Sequence, residues 1–120
     1  LRRAVAARAA PHAAAHLGAV DVALNAAAAS LREAAAWIDR HPSADAQPLA
    51  LRVRSTVEAA ATRVLDHAGR ALGATPFCRD AHFARLAADL PVFLRQSHAE
   101  RDLETLGRAM AEQPAGGWNL

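Results

Sequence analysis

From Leu17 to Ile38 the apolar residues fall in alternating steps of three and four: Leu17, Val20, Leu24, Ala27, Leu31, Ala34 and Ile38. That is the 3.6-residue period of an α-helix, not the period of two that a strand would show. It predicts one unbroken helix from His12 to about Asp39, with Pro11 before it. A helix with an apolar stripe must bury that stripe against another element. The stretch His41-Pro42-Ser43-Ala44-Asp45-Ala46-Gln47-Pro48 breaks the pattern with two prolines around small polar residues.

The partner is legible in the next segment. Ala50, Val53, Val57, Ala60, Val64, His67 and Ala71 make a second stripe, on a helix expected from about Leu49 to Leu72. Gly73 is placed to cap it, and Ala74-Thr75-Pro76 reads as a turn. A third helical stretch starts near Arg79 with Phe83, Leu86 and Leu90 inward. Pro91 lacks a backbone donor, so a kink or restart is expected there. The continuation carries Phe93, Leu94, Leu103, Leu106 and Met110, and residues 1–10 read as one short helical segment. Gly116-Gly117 ends the pattern, which leaves 113–120 as a tail. The expected fold is all-α: an antiparallel bundle of three to four long helices in one domain spanning 1–120.

Composition agrees. Hydrophobic residues are 52% of the chain but aromatics only 4%, and Tyr is absent, so Ala supplies much of the apolar count. Ala is the best helix former, with Leu and Arg close behind. It is also a weak core former, because each buried Ala removes little apolar area from water. A second apolar face, Val22, Ala26, Ala29 and Ala36, lies on the first long helix. Both features predict a homo-oligomer through helical faces, or cover by other domains. The chain opens on Leu rather than Met, and is expected to be part of something longer.

The net charge is only +2, and no basic run interleaves with aromatics, so nucleic acid is not an expected partner. No apolar run approaches the ~20 residues of a membrane span, and Leu1-Arg2-Arg3 followed by Ala-rich sequence does not read as a signal peptide. A lone Cys78 excludes an internal disulfide and fits a reducing, cytoplasmic compartment. Cys78 has no flanking motif and reads as a small buried hydrophobe. His12 and His16 are four apart but nothing completes a metal site around them. Asp80, after Arg79, is favourable near a helix start.

Chemistry is densest near the end. Arg95, Gln96, Ser97, His98, Glu100, Arg101 and Asp102 crowd into eight positions. On a continuous helix His98 and Asp102 share a face, and a carboxylate beside an imidazole orients it and raises its basicity. The same spacing also describes an exposed surface pair contributing roughly 0.2–0.5 kcal/mol.

Glu58-Ala59-Ala60-Ala61, Val64-Leu65, Gly69-Arg70-Ala71-Leu72-Gly73-Ala74, Phe77-Cys78-Arg79-Asp80 and Arg95-Gln96-Ser97-His98-Ala99-Glu100-Arg101-Asp102-Leu103 with Leu106-Gly107 resemble the C-terminal helical domain of the acyl-CoA dehydrogenase superfamily. The resemblance spans about 49–110. It implies an FAD-dependent oxidoreductase in which this bundle supplies oligomer interface and one wall of the flavin and substrate pocket. The catalytic Glu beside a Gly-Thr pair, which some members carry in this region, has no counterpart here. The His-x-x-x-Asp spacing instead resembles the flavin monooxygenase branch, with Gln96 where that branch has an Arg two residues before its His. On that resemblance His98 is the proton-transfer or substrate-orienting group, Asp102 stands behind it, and Arg95 and Gln96 contact the cofactor. The family's N-terminal helical and middle β domains are missing, so this chain alone is expected to hold no FAD and to be inactive. The alternative is a non-catalytic helical-bundle interaction module.

Overall fold

A computed structural model describes residues 1–8 and 10–113. They form six helices: α1 (Arg2–Arg8), α2 (Pro11–Arg40), α3 (Gln47–Leu72), α4 (Thr75–Arg79), α5 (Ala81–Leu94) and α6 (Ala99–Ala111). Among the described residues there is no strand. Of the expected tail, 113–120, all but Gln113 lies outside the described residues.

α2 and α3 form a long antiparallel hairpin, and both ends follow from local chemistry. Pro11 starts α2 where a missing N–H costs nothing. Its end is closed by the His41 N–H, which donates to the carbonyls of Trp37 and Ile38. Asp45 then accepts from the Gln47 N–H at 2.9 Å, turning the chain into α3. At the far end of α3, Gly73 has φ +71° and ψ −166°, a backbone region open almost only to glycine. The core sits between the two helices and is made mostly of alanine: Ala23, Ala27 and Ala60 are buried, with Val57 and Val64 packed against them. A second cluster, Val5, Ala13 and Ala71, ties α1 to the open end of the hairpin.

The stripe is therefore split. Its small members and Val20 face α3, while Leu24, Leu31 and Ile38 remain 52%, 50% and 45% exposed. Alanine lets the helix axes approach closely, and the larger side chains on the flank of the same stripe are left outside the seam. The molecule is correspondingly open. Its radius of gyration is 17.7 Å, against about 14 Å for a compact domain of this length. Its 8950 Å² of accessible surface compares with roughly 6200 Å² for a compact monomer of this mass.

Five sequence expectations need correction. The turn at 74–76 is instead the start of α4, which lays Phe77 over Gly69 and edge-on to Phe83, ring centres 5.0 Å apart. Cys78 is exposed on that helix, not buried. Pro91 lies inside α5 without ending it: the helix continues to Leu94, and the Arg95 N–H closes it on the Pro91 carbonyl at 3.1 Å. The break falls at 95–98, so Phe93 and Leu103 belong to different helices, both exposed. Leu86, expected inward, is also exposed. Finally, an 18-residue window of α2 reaches a mean hydropathy of 1.3, so one helix is long and apolar enough to cross a membrane by length and composition alone.

Candidate functional site

The polar run near the C-terminus is not one helix face but a turn folded back onto α3. Arg95, Gln96 and Ser97 close α5, and α6 begins after His98. The Ser97 hydroxyl lies 2.7 Å from Glu58 Oε2 in the middle of α3 and 3.0 Å from the Leu94 carbonyl. It has one proton to give, and the charged acceptor makes the stronger bond. α6 is held to the same helix by Arg54, whose Nε is 3.6 Å from Asp102 Oδ2, and by Arg52, whose Nη2 donates to Met110 Sδ at 2.9 Å.

Between α3 and this turn lies a cleft of about 660 Å³, its polar lining Glu58, Thr62, Asp66, Arg95, Ser97 and Glu100. Beside it runs an apolar groove of about 540 Å³, bounded by Leu31 and Ile38 of α2, Val53 and Val57 of α3, and Phe93 of α5. Glu58 and Leu94 line both spaces. The two form one depression with a greasy half and a carboxylate-rich half.

The four residues assigned from the sequence distribute differently. Arg95 lines the cleft and spends one donor on the Pro91 carbonyl at 3.4 Å, leaving most of its five N–H groups available. Gln96 is exposed on the adjoining turn. His98 is the exposed N-cap residue of α6 and makes no side-chain cap bond. Asp102 turns toward Arg54. Among the described residues, what links 98 to 102 is the Asp102 N–H donating to the His98 carbonyl at 2.9 Å, with no side-chain bond between them. The shared helix face is thus corrected: residue 98 lies just outside the helix that carries Asp102.

Two pairings were missed in the sequence. Glu58 and Ser97 sit 39 positions apart, and nothing local joins them; the only signal was Glu58 within an otherwise Ala-rich turn. His16 was matched with His12, whereas its Nδ1 lies 3.0 Å from His67 Nδ1 across the hairpin. The apolar company of His67 on its stripe was the available hint. Among the described residues no group of three or more His, Cys, Asp or Glu could hold a metal ion. No protein-family model, curated protein or solved structure matches the chain.

Proposed function

We propose that this chain is the C-terminal helical domain of an acyl-CoA dehydrogenase-like, FAD-dependent oxidoreductase, and that the depression between α3 and the 91–100 turn is its contribution to the flavin and substrate pocket. The observation that carries the reading is the convergence there of Glu58, Arg95, Ser97 and Glu100. All four belong to the segments of the resemblance, and they come together from two ends of it.

The residues fit such a cofactor as one wall only. Glu58, Asp66 and Glu100 outnumber Arg95 around the cleft, so an anionic diphosphate is repelled while ribose or ribitol hydroxyls find acceptors in the carboxylates. Arg95 and Gln96 then serve as donors to cofactor oxygens. His98, exposed beside them, is free to move a proton at the substrate end. The flavin, when bound, supplies the electron-accepting ring. The apolar groove next to the cleft suits an acyl or other greasy portion of a substrate, or a helix from a neighbouring domain. The half-exposed row Leu24, Leu31 and Ile38 favours a second reading, a non-catalytic bundle whose work is to associate through helical faces.

The two readings separate in one experiment. The protein is purified together with whatever its gene encodes before this segment, and its absorption spectrum and oxidase or dehydrogenase turnover are measured. A bound flavin, and a turnover that falls ~10²–10⁴-fold in His98→Ala while the helical signal is unchanged, is the expected result. A colourless, inactive protein that still associates through this domain would leave the interaction module as the correct description.

A further inference from the structure

Leu31, Ile38 and Phe93 are 50%, 45% and 69% exposed, yet they are not scattered: all three stand around the apolar groove that Val53 and Val57 bound on α3. The groove holds about 540 Å³, inside the range of about 300–1,000 Å³ that small-molecule sites occupy. Two charged side chains reach its lining, Arg54 and Glu58, one helical turn apart. They differ in what already answers them. Arg54 Nε lies 3.6 Å from Asp102 Oδ2, so an anion from outside the lining faces the guanidinium. Glu58 is partly buried, and its hydrogen-bond partner is the neutral Ser97 hydroxyl, 2.7 Å from Oε2. Among the described residues it has no ion pair.

A carboxylate drawn away from water is costly unless a cation or several donors face it. One hydroxyl supplies one donor. The α3 wall of the groove runs from Leu49 to Glu58, about 14 Å at 1.5 Å per residue, so the unmatched charge sits at one end of an apolar channel. Past Glu58 the lining continues into the cleft with Asp66, Arg95 and Glu100, and Asp66 is matched by Arg70 at 3.1 Å. Glu58 and Glu100 against Arg95 leave that end negative, so it attracts a cation and repels an anion.

We propose that this depression binds an apolar amine, its hydrocarbon body lying along Val53 and Val57 and its ammonium group pairing with Glu58. A fatty acid would set its own carboxylate against Glu58, and an alcohol would leave Glu58 without a counter-charge. The inference rests on the reading of the depression as a substrate pocket and narrows the substrate to one class; it does not require a flavin beside it.

The test is amide NMR of the nitrogen-labelled 120-residue chain at about pH 7, where an alkylamine is charged as lysine is. Octylamine, octanol and octanoate are titrated in turn; they share a chain and differ in head-group charge. Octylamine should shift the resonances of Val53, Val57 and Phe93 and bind about tenfold more tightly than octanol, with octanoate weaker than either. In Glu58→Gln the advantage of octylamine over octanol should vanish while octanol binding is kept, because the apolar walls are unchanged. Octanoate binding as tightly as octylamine would make Arg54 the deciding charge and overturn the proposal. An octylamine advantage that survives Glu58→Gln would overturn it too. Groove resonances that move on dilution of the chain, and not with octylamine, would give the groove to a second copy instead. Because the chain is tested without flavin, failure here is distinct from failure of the oxidoreductase reading, which the spectrum and turnover of the longer protein decide.

Discussion

Ser97 and Glu58 are joined by a 2.7 Å hydrogen bond that fastens the turn between α5 and α6 to the middle of α3. Both side chains are partly buried, and Glu58 also lines the apolar groove. A carboxylate facing apolar side chains needs its donor. Ser97→Ala should therefore destabilise the chain by about 1 kcal/mol, read as a lower midpoint in urea unfolding. Glu58→Gln keeps an acceptor for the hydroxyl and should cost less. A Ser97→Ala midpoint equal to that of the unmodified chain would mean the bond contributes nothing measurable.

Glycines at two positions should respond with opposite sign. Gly73 lies at φ +71° and ψ −166°, so Gly73→Ala forces a side chain into a backbone region that costs of order 1–3 kcal/mol. Gly18 lies inside α2, two turns from its start, with nothing within 4 Å of where a Cβ would sit. Gly18→Ala should stabilise by roughly 0.5–1 kcal/mol, through helix propensity and a less flexible unfolded chain. Paired thermal melts check both signs at once.

Replacing Leu24, Leu31 and Ile38 together by Gln should leave the hairpin folded, because these side chains are about half exposed while the Ala seam is untouched. The same change should weaken self-association, which the open apolar flank otherwise favours. Sedimentation velocity at micromolar concentration measures it: the unmodified chain is expected to associate and the triple variant to run as a monomer. If the unmodified chain is itself a monomer, the flank is not a contact between copies.

Cys78, on the surface of α4, should react with a soluble thiol reagent in the native chain, giving one titratable thiol per molecule without denaturant. Protection of that thiol until unfolding would place α4 differently from the arrangement described above.

Helix α2 was legible almost to the residue: the expected span from His12 to about Asp39 became Pro11–Arg40. The hairpin loop and the Gly73 cap were equally local, because prolines, Asp45 and a glycine act on their own backbone. Pro91 does not restart the helix, for a physical reason. A proline removes one donor and strains the preceding turn, yet its own carbonyl remains an acceptor, and here it receives the Arg95 N–H. The stop therefore moved four residues on, and with it His98 passed from the helix face to the cap.

The sequence by itself determined that this chain is helical and where its two long helices lie, because a 3.6-residue period is a property of neighbouring residues. Tertiary structure decided everything that depends on distance between helices. How closely α2 approaches α3 placed Ala23, Ala27 and Ala34 in the seam and left Leu24, Leu31 and Ile38 at its edge. The return of the chain after α5 brought Ser97 to Glu58, and the antiparallel register brought His16 to His67 rather than leaving it with His12. Periodicity fixes a direction around one helix axis. Only packing fixes which side chain from another helix arrives there, and at what distance.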